Sequence, residues 1–395
     1  MSTSAQPVPS TRETRVRILT EFAQVQALAD DWERLHAVTP GATPWQSWPW
    51  LQAWWPVMGG DPRLCVVVVE QGGRPALILP LQMARVRMLG LSVRVLEPIG
   101  MPDEINRPLL ALGPADPPLL RQALSALVTP RGLASESRSP PWDMLRVDEV
   151  LAEDERVQTA LAFAREQGLA SRLQPLHPCP YLSLKQSWPD FLASRGRRLG
   201  RNLRAAHRRL AIEGPVTVVT AMEAEAVDAA FARFLAVHER SWKHAAGIAF
   251  AGPEGYVQYY CRFLQTLAAE GRARVLTLFC GDNPVAAAIA VTDADTYYGA
   301  QIVHDQRYDR CSPGTVLEAM ELEGLMAEGR YCRYDFFGAA LSNKRRWTDH
   351  AHHTARLVLM RPTAVGRILA GYYFRLKPVI QRLRREPVRT PEARA

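Results

Sequence analysis

The sequence predicts an α/β (α+β) protein built as two related halves, each a mixed, mostly antiparallel central sheet flanked by helices. Three observations carry this. The chain has 395 residues, long for one core, so two domains of similar size are expected. One pattern (apolar strand, Gly-containing turn, proline, strand of small apolar residues) occurs in Leu64–Leu81 and again in Arg274–Thr292. Three prolines between Gln174 and Pro180 stop any helix and favour an extended connector between the halves. The expected division is a disordered tail at 1–14, domains at 15–180 and 181–362, and a basic amphipathic helix with its tail at 363–395.

In the first half, Val16–Leu19 reads as a strand and Phe22–Leu35 as a helix. A short helix is expected in the tryptophan-rich block between Pro49 and Pro56. Leu64–Glu70 and Pro75–Leu81 read as buried strands joined by a hairpin turn at Gln71–Arg74. Arg85–Leu89 and Val93–Glu97 continue the sheet, and Leu119–Leu127 is helical before a flexible loop ending at Ser135–Pro140. In the second half, Ala221–Trp242 is helical. Arg274–Phe279 and Val285–Thr292 form a hairpin across Gly281–Pro284, and Thr296–Ile302 is a third strand. Val365–Arg385 is a basic amphipathic helix interrupted by Pro378.

Composition narrows the function. No apolar run approaches the roughly 18–20 residues needed to span a bilayer. Met1–Ser10 lacks a basic stretch followed by an apolar core, so a short tail is expected there and not a secretory signal. The chain is expected in the cytoplasm, with membrane association through its basic C-terminal helix. Six scattered cysteines, none at C-x-x-C spacing, argue for free thiols, with no disulfide framework and no metal. Cys311 alone precedes a helix start that would stabilise a thiolate. The net charge of +8 rests almost wholly on arginine and favours anionic partners.

The stretch from Thr296 to Trp347 holds the chemistry. It reads as a strand, a Ser312-Pro313-Gly314 turn opening a helix, a strand at Tyr334–Gly338, and a basic-aromatic loop at Lys344–Trp347. A helix opened by Pro-Gly presents backbone N–H groups to a phosphate. Between Arg195 and Arg209 lie seven arginines, one histidine and no acid. As a helix, this run puts Leu199, Leu203, Ala206 and Leu210 on one stripe and leaves Arg197, Arg201 and Arg204 among the outward charges. Such like-charge crowding favours a bound polyanion.

Phe191–Met360 resembles the BioF-like branch of the GNAT acyltransferase superfamily, related to the Fem peptidoglycan aminoacyltransferases. The resemblance rests on Arg197–Leu210, Phe234–Lys243, Pro284–Ala290, Tyr298–Gln301, Ser312–Gly314, Asp335–Gly338 and Lys344. It implies two GNAT-like halves and an acyl-CoA co-substrate, such as acetyl-CoA, laid along Ala286–Thr292 with Ala287 and Ile289 in contact. The pyrophosphate would rest on Ser312, Gly314 and Thr315, aided by Arg307 and Arg310. Gln306–Gly314 departs from the usual phosphate loop but keeps two arginines and one glycine. Candidate bases are His238, Glu239, His304, Asp305 and Asp335, with Asp335, Lys344 and His304 expected to be catalytic. Arg197, Arg201, Arg204, Trp242, Tyr298 and Trp347 are expected to bind the acceptor, a small molecule or glycan of polysaccharide or envelope biosynthesis. Two alternatives stand beside this reading: an aminoacyl-tRNA-dependent transferase, the one case that needs a nucleic acid, and a degenerate adaptor.

Overall fold

A computed structural model describes residues 13–60, 63–100, 108–128, 141–252, 254–338 and 342–376. The first half runs β1 (Thr14–Leu19), α1 (Phe22–Gln26), α2 (Ala29–Ala37), α3 (Trp48–Met58), β2 (Arg63–Gln71), β3 (Arg74–Met88), β4 (Leu91–Pro98), α4 (Pro117–Val128), β5 (Met144–Leu151) and α5 (Glu155–Glu166). Strand β6 (Ala170–Ser183) leads into α6 (Trp188–Ser194), α7 (Arg197–Glu213), β7 (Val216–Ala221), α8 (Ala224–His238), α9 (Trp242–Ala245) and α10 (Tyr256–Ala269). Then follow β8 (Ala273–Cys280), β9 (Asn283–Asp293), β10 (Thr296–His304), α11 (Pro313–Glu328), β11 (Arg333–Asp335), α12 (Ser342–Arg345), β12 (Ala351–Met360) and α13 (Ala364–Ala370). The strands form one sheet in the order β1-β2-β3-β4-β5-β12-β6-β11-β10-β9-β8-β7.

Both expected hairpins form. Gly72 (φ 58°) and Gly73 (φ 77°) supply the two left-handed positions that a tight β2–β3 turn requires. The helix expected over Phe22–Leu35 is two helices separated at Ala27–Leu28. α3 takes Pro49 into its first turn, where the missing N–H costs nothing, and Ser47 caps it by accepting from the Trp50 N–H. The expected strand at Tyr334–Gly338 is shorter, because Phe337 (φ 46°) and Gly338 (φ 81°) turn the chain out of the sheet.

The extended connector at Gln174–Pro180 is the middle of β6, so a boundary at 180/181 would cut a strand. The Pro180 carbonyl accepts from the Phe336 N–H, so the edge where Pro178 and Pro180 lack N–H faces β11. That neighbour pairs with β6 only from Tyr181 onward, so the two missing donors leave no ladder bond unmade. β12 then returns from the second half and inserts between β5 and β6. The halves thus share a sheet, and also a core, where Trp45, Trp50 and Trp54 pack with Phe234, Tyr259 and Phe263. Within it the Trp50 indole N–H donates to the Tyr259 hydroxyl at 2.9 Å.

No helix among the described residues is long and apolar enough to cross a membrane. Of the basic helix expected at Val365–Arg385, α13 and a π-helical turn at Gly371–Leu376 are described. The remainder, with most of the Arg375–Arg389 cluster, lies outside the described residues, as do the tail to Arg12 and the loop at Ser135–Pro140.

Candidate active site

β10 and β11 run parallel but pair only from Thr296 to Tyr298 against Arg333 to Asp335. Beyond that, β11 turns away while β10 continues to His304 paired to β9 alone, and the sheet opens. The opening holds a cavity of about 570 Å³ between β10, the start of α11 and α12, which carries Lys344. Gly299 lines it for a steric reason. A Cβ there would lie 2.4 Å from the Tyr334 hydroxyl, which crosses this point to reach Glu321.

One wall is the N-terminus of α11. Ser312 takes the left-handed conformation (φ 51°) and its carbonyl accepts from the Thr315 and Val316 N–H groups. Pro313 has no N–H, so Gly314 is the first-turn amide without a bond inside the protein among the described residues. This helix start therefore offers fewer free amides than an uncapped one. Arg346 stands beside it, its guanidinium donating to Thr315 Oγ1 at 2.7 Å. His304 packs its ring over Gly314 and holds Asp309 at 2.8 Å.

One turn into α11, Glu318 faces the cavity from an almost buried position, 7% exposed, and accepts from the Trp347 indole N–H at 2.5 Å. Burial lifts its carboxyl to about 7, against the pull of that indole. A further turn on, Glu321 accepts from Tyr297 and Tyr334 hydroxyls at 2.6 and 3.0 Å, and burial raises it to about 7 as well. Both carboxyls sit above their ordinary value of 4.5, so the stability they contribute is complete below about pH 4.5 and is lost as pH rises through about 7. Each pH unit of that separation is worth about 1.4 kcal/mol. The melting temperature is expected to fall across this window, and Glu321→Gln should flatten the fall; an unchanged pH–Tm curve in the variant would contradict it.

Opposite stand two lysines. Lys243 Nζ donates to Gln301 Oε1 at 3.1 Å; burial, with Lys344 beside it, lowers its ammonium to about 8. Lys344 donates to the Phe337 carbonyl, and burial lowers it too, opposed by the Cys179 thiol, Glu318 and Asp335. Phe337 is itself anchored. Its N–H donates to Asp335 Oδ1 at 3.0 Å, and its ring stacks on Trp45 at 4.2 Å. The first half of the chain thereby braces Phe337, the acceptor that holds Lys344.

Of the residues singled out from the sequence, His304, Ser312, Gly314, Thr315, Trp242 and Lys344 line this cavity. Others stand elsewhere. Ala287 and Ile289 are fully buried in the core, because β9 is paired on both edges; the strand with the open edge is β10. Arg307 is held by Asp305 and Arg310 by Glu213, each at 2.6 Å, and neither lines the cavity. Asp305 is itself no base. Burial would raise it, but hydrogen bonds from Arg307 and Arg240 hold it at about 2. His238 is packed against His244 and Phe250, and burial lowers its pKa. Glu239 is exposed beyond α8 and Cys311 is buried between α7 and α11.

Asp335 and Tyr298 line a separate cavity of about 70 Å³ at the seam between the halves. Trp347 is fully buried behind Glu318. Arg197, Arg201 and Arg204 lie on α7 and make no ion pair among the described residues; Arg204 borders a shallow groove against α11. Sequence reasoning missed Glu318, Lys243, Gln301 and Arg346. Glu318 had a usable signal, since it follows Gly314 by four residues and shares its helix face.

Comparison with known proteins bears on the fold and on the second half. Residues 196–345 match the family model described as an acetyltransferase (GNAT) domain. The solved structure of FemX is similar over 87% of this chain and 98% of its own, with a TM-score of 0.57 and 10% identity. The C-terminal domain (DUF2156) of a putative lysylphosphatidylglycerol synthetase from Agrobacterium fabrum covers 88% and 95%, at 0.51 and 13%. A conserved protein of unknown function from Bacteroides thetaiotaomicron covers 85% and 97%, at 0.50 and 9%. These identities speak for the fold alone. No curated protein sequence matches the chain significantly.

Proposed function

We propose that this chain, a GNAT-superfamily acyltransferase with a Fem-like fold, takes its acyl group from acyl-CoA, acetyl-CoA in the simplest case. It passes that group to an amine or hydroxyl of a sugar, polysaccharide or cell-envelope precursor. The observation that carries the reading is the opened β10–β11 pair, with a helix start suited to an anion at one end and Glu318 lining the same cavity as Lys243 and Lys344. The amides of a pantetheine arm would pair with the open edge of β10, as an added strand does. The pyrophosphate would meet the Gly314 N–H, Arg346 and the α11 dipole. Glu318, poised near neutrality, takes the proton of the attacking amine or hydroxyl. Lys344 offsets charge on the tetrahedral intermediate.

The acceptor class is supported by the family resemblance and by Arg197, Arg201 and Arg204 of α7, which make no ion pair among the described residues and favour an anionic molecule. The enzyme would work in the cytoplasm, where acyl-CoA is available, with its basic C-terminal segment at the membrane face. The likeness to FemX supports a second reading, in which an aminoacyl-tRNA is the donor and α7 grips it.

Thermal shift separates these readings. Acetyl-CoA or a longer acyl-CoA at a hundred times its dissociation constant should stabilise the protein by about 2.7 kcal/mol. Gly314→Glu, which puts a carboxylate among the phosphate donors, should abolish that shift. Stabilisation by aminoacyl-tRNA and by no acyl-CoA would favour the second reading; an equal acyl-CoA shift in folded Gly314→Glu would overturn the placement.

A further inference from the structure

Beside the seam cavity, three side chains from two non-adjacent strands converge. His177 Nε2 lies 2.7 Å from Glu149 Oε1, Cys179 Sγ lies 3.7 Å from His177 Nδ1, and Sγ lies 3.9 Å from Glu149 Oε2. One donor atom from each falls within 4.8 Å of the others. Glu149 belongs to β5, His177 and Cys179 to β6, and β12 runs between them.

The backbone is bent to make this meeting. β5 carries an extra residue against β12, since Ala355 pairs with Val150 but Leu357 with Val147, and Glu149 sits in that bulge at φ 63°. β6 carries a second, since His353 pairs with Pro178 but Ala355 with Pro175, and His177 sits there. Thr354 fixes the second bulge by donating to the His177 carbonyl at 2.7 Å. A non-glycine residue in the left-handed region within a strand is strained, and bulges re-aim side chains. Here both bulges aim at one point. Asp148, the neighbouring acid, is withdrawn by Arg356 at 2.8 Å, so it does not compete.

We propose that Glu149, His177 and Cys179 form a zinc(II) site that pins β5 to β6 across the inserted strand β12. The donor set is one thiolate, one imidazole and one carboxylate, which suits zinc above magnesium or calcium. Tetrahedral zinc bonds of about 2.0–2.3 Å place donors roughly 3.3–3.6 Å apart. The three contacts use both ring nitrogens of His177 and both carboxylate oxygens of Glu149; taken one atom from each residue, the donors lie within 4.8 Å of one another, so side-chain rotations must draw them in to close the site. The thiolate and carboxylate offset the charge of the ion, which leaves Lys344 nearby without net repulsion. His177, 32% exposed, is the route of entry, and the fourth position is left to water. The ion would bind the two halves where their sheets fuse.

The test uses the full chain stripped with a chelator and titrated with zinc against a chromophoric competitor, followed by cobalt(II) in place of zinc. One equivalent should bind, the melting temperature should rise with zinc, and cobalt should give a thiolate charge-transfer band. Cys179→Ser should remove the band and weaken zinc binding by about 10²-fold or more, and His177→Gln should weaken it similarly. If Cys179→Ser does not fold, the wild-type cobalt spectrum and His177→Gln decide. Substoichiometric binding without a thermal shift would overturn the proposal, as would undiminished binding in Cys179→Ser or in His177→Gln.

Discussion

Glu318→Gln is expected to lower acyl-transfer turnover by about 10²–10⁴-fold, the usual contribution of a positioned general base. Glutamine keeps the shape of the side chain and still accepts from the Trp347 indole, so the fold and the α11–Trp347 contact persist. What it loses is the proton acceptor in the cavity. The check is release of free CoA thiol measured across pH 5.5–9.5. The wild-type rate should rise through about 7 as Glu318 ionises, and should decline near 8 where Lys243 loses its charge, if the bound anion needs that ammonium. The variant should lose the rising limb. A variant with wild-type turnover and the same rising limb would move the base to His304, which also lines the cavity.

Lys344→Met should lower turnover by about 10²–10³-fold while leaving acyl-CoA-induced stabilisation nearly intact. Methionine preserves length and apolar volume and deletes only the charge. Lys344 is suited to stabilising a developing oxyanion because its head group is preorganised. The Phe337 carbonyl holds it, the Asp335 carboxylate holds the Phe337 N–H, and Trp45 holds the Phe337 ring. Such a chain costs nothing at the moment of reaction, which is what makes a fixed donor effective. Single-turnover rates with saturating acyl-CoA separate chemistry from binding. A variant that turned over normally would show that Lys344 serves only to tie its loop.

Much of this protein was legible in its residues because the signals are local. Gly72 and Gly73 specify a tight turn whatever surrounds them, and the Pro313-Gly314 pair opens α11 where a helix start was expected. The stripe of Leu199, Leu203, Ala206 and Leu210 does set the inner face of α7. Gly314 reached the cavity as part of that helix start and His304 as the end of the strand leading to it, whereas Lys344 was found through the family resemblance alone.

Tertiary structure decided the rest. Small residues at Ala286–Ala290 mark a crowded strand, but nothing in them says which neighbour is absent; pairing on both edges buried Ala287 and Ile289 and gave the open edge to β10. Arg307 and Arg310 have the right charge for phosphate, yet the fold supplied Asp305 and Glu213, and a nearby carboxylate outcompetes a distant ligand. Glu318 reads in sequence as one more acid on a helix; only burial in the fold raises its pKa to about 7, against the pull of the Trp347 indole. The pairing of β12 with β5 and β6 joins residues about 200 positions apart, as the Asp148–Arg356 contact does. The sequence by itself determined the turns, the helix faces and the likeness of residues 196–345 to a GNAT domain, because those depend on neighbours along the chain. The open edge, the poised carboxyl and the fused sheet depend on neighbours in space, which only the folded chain provides.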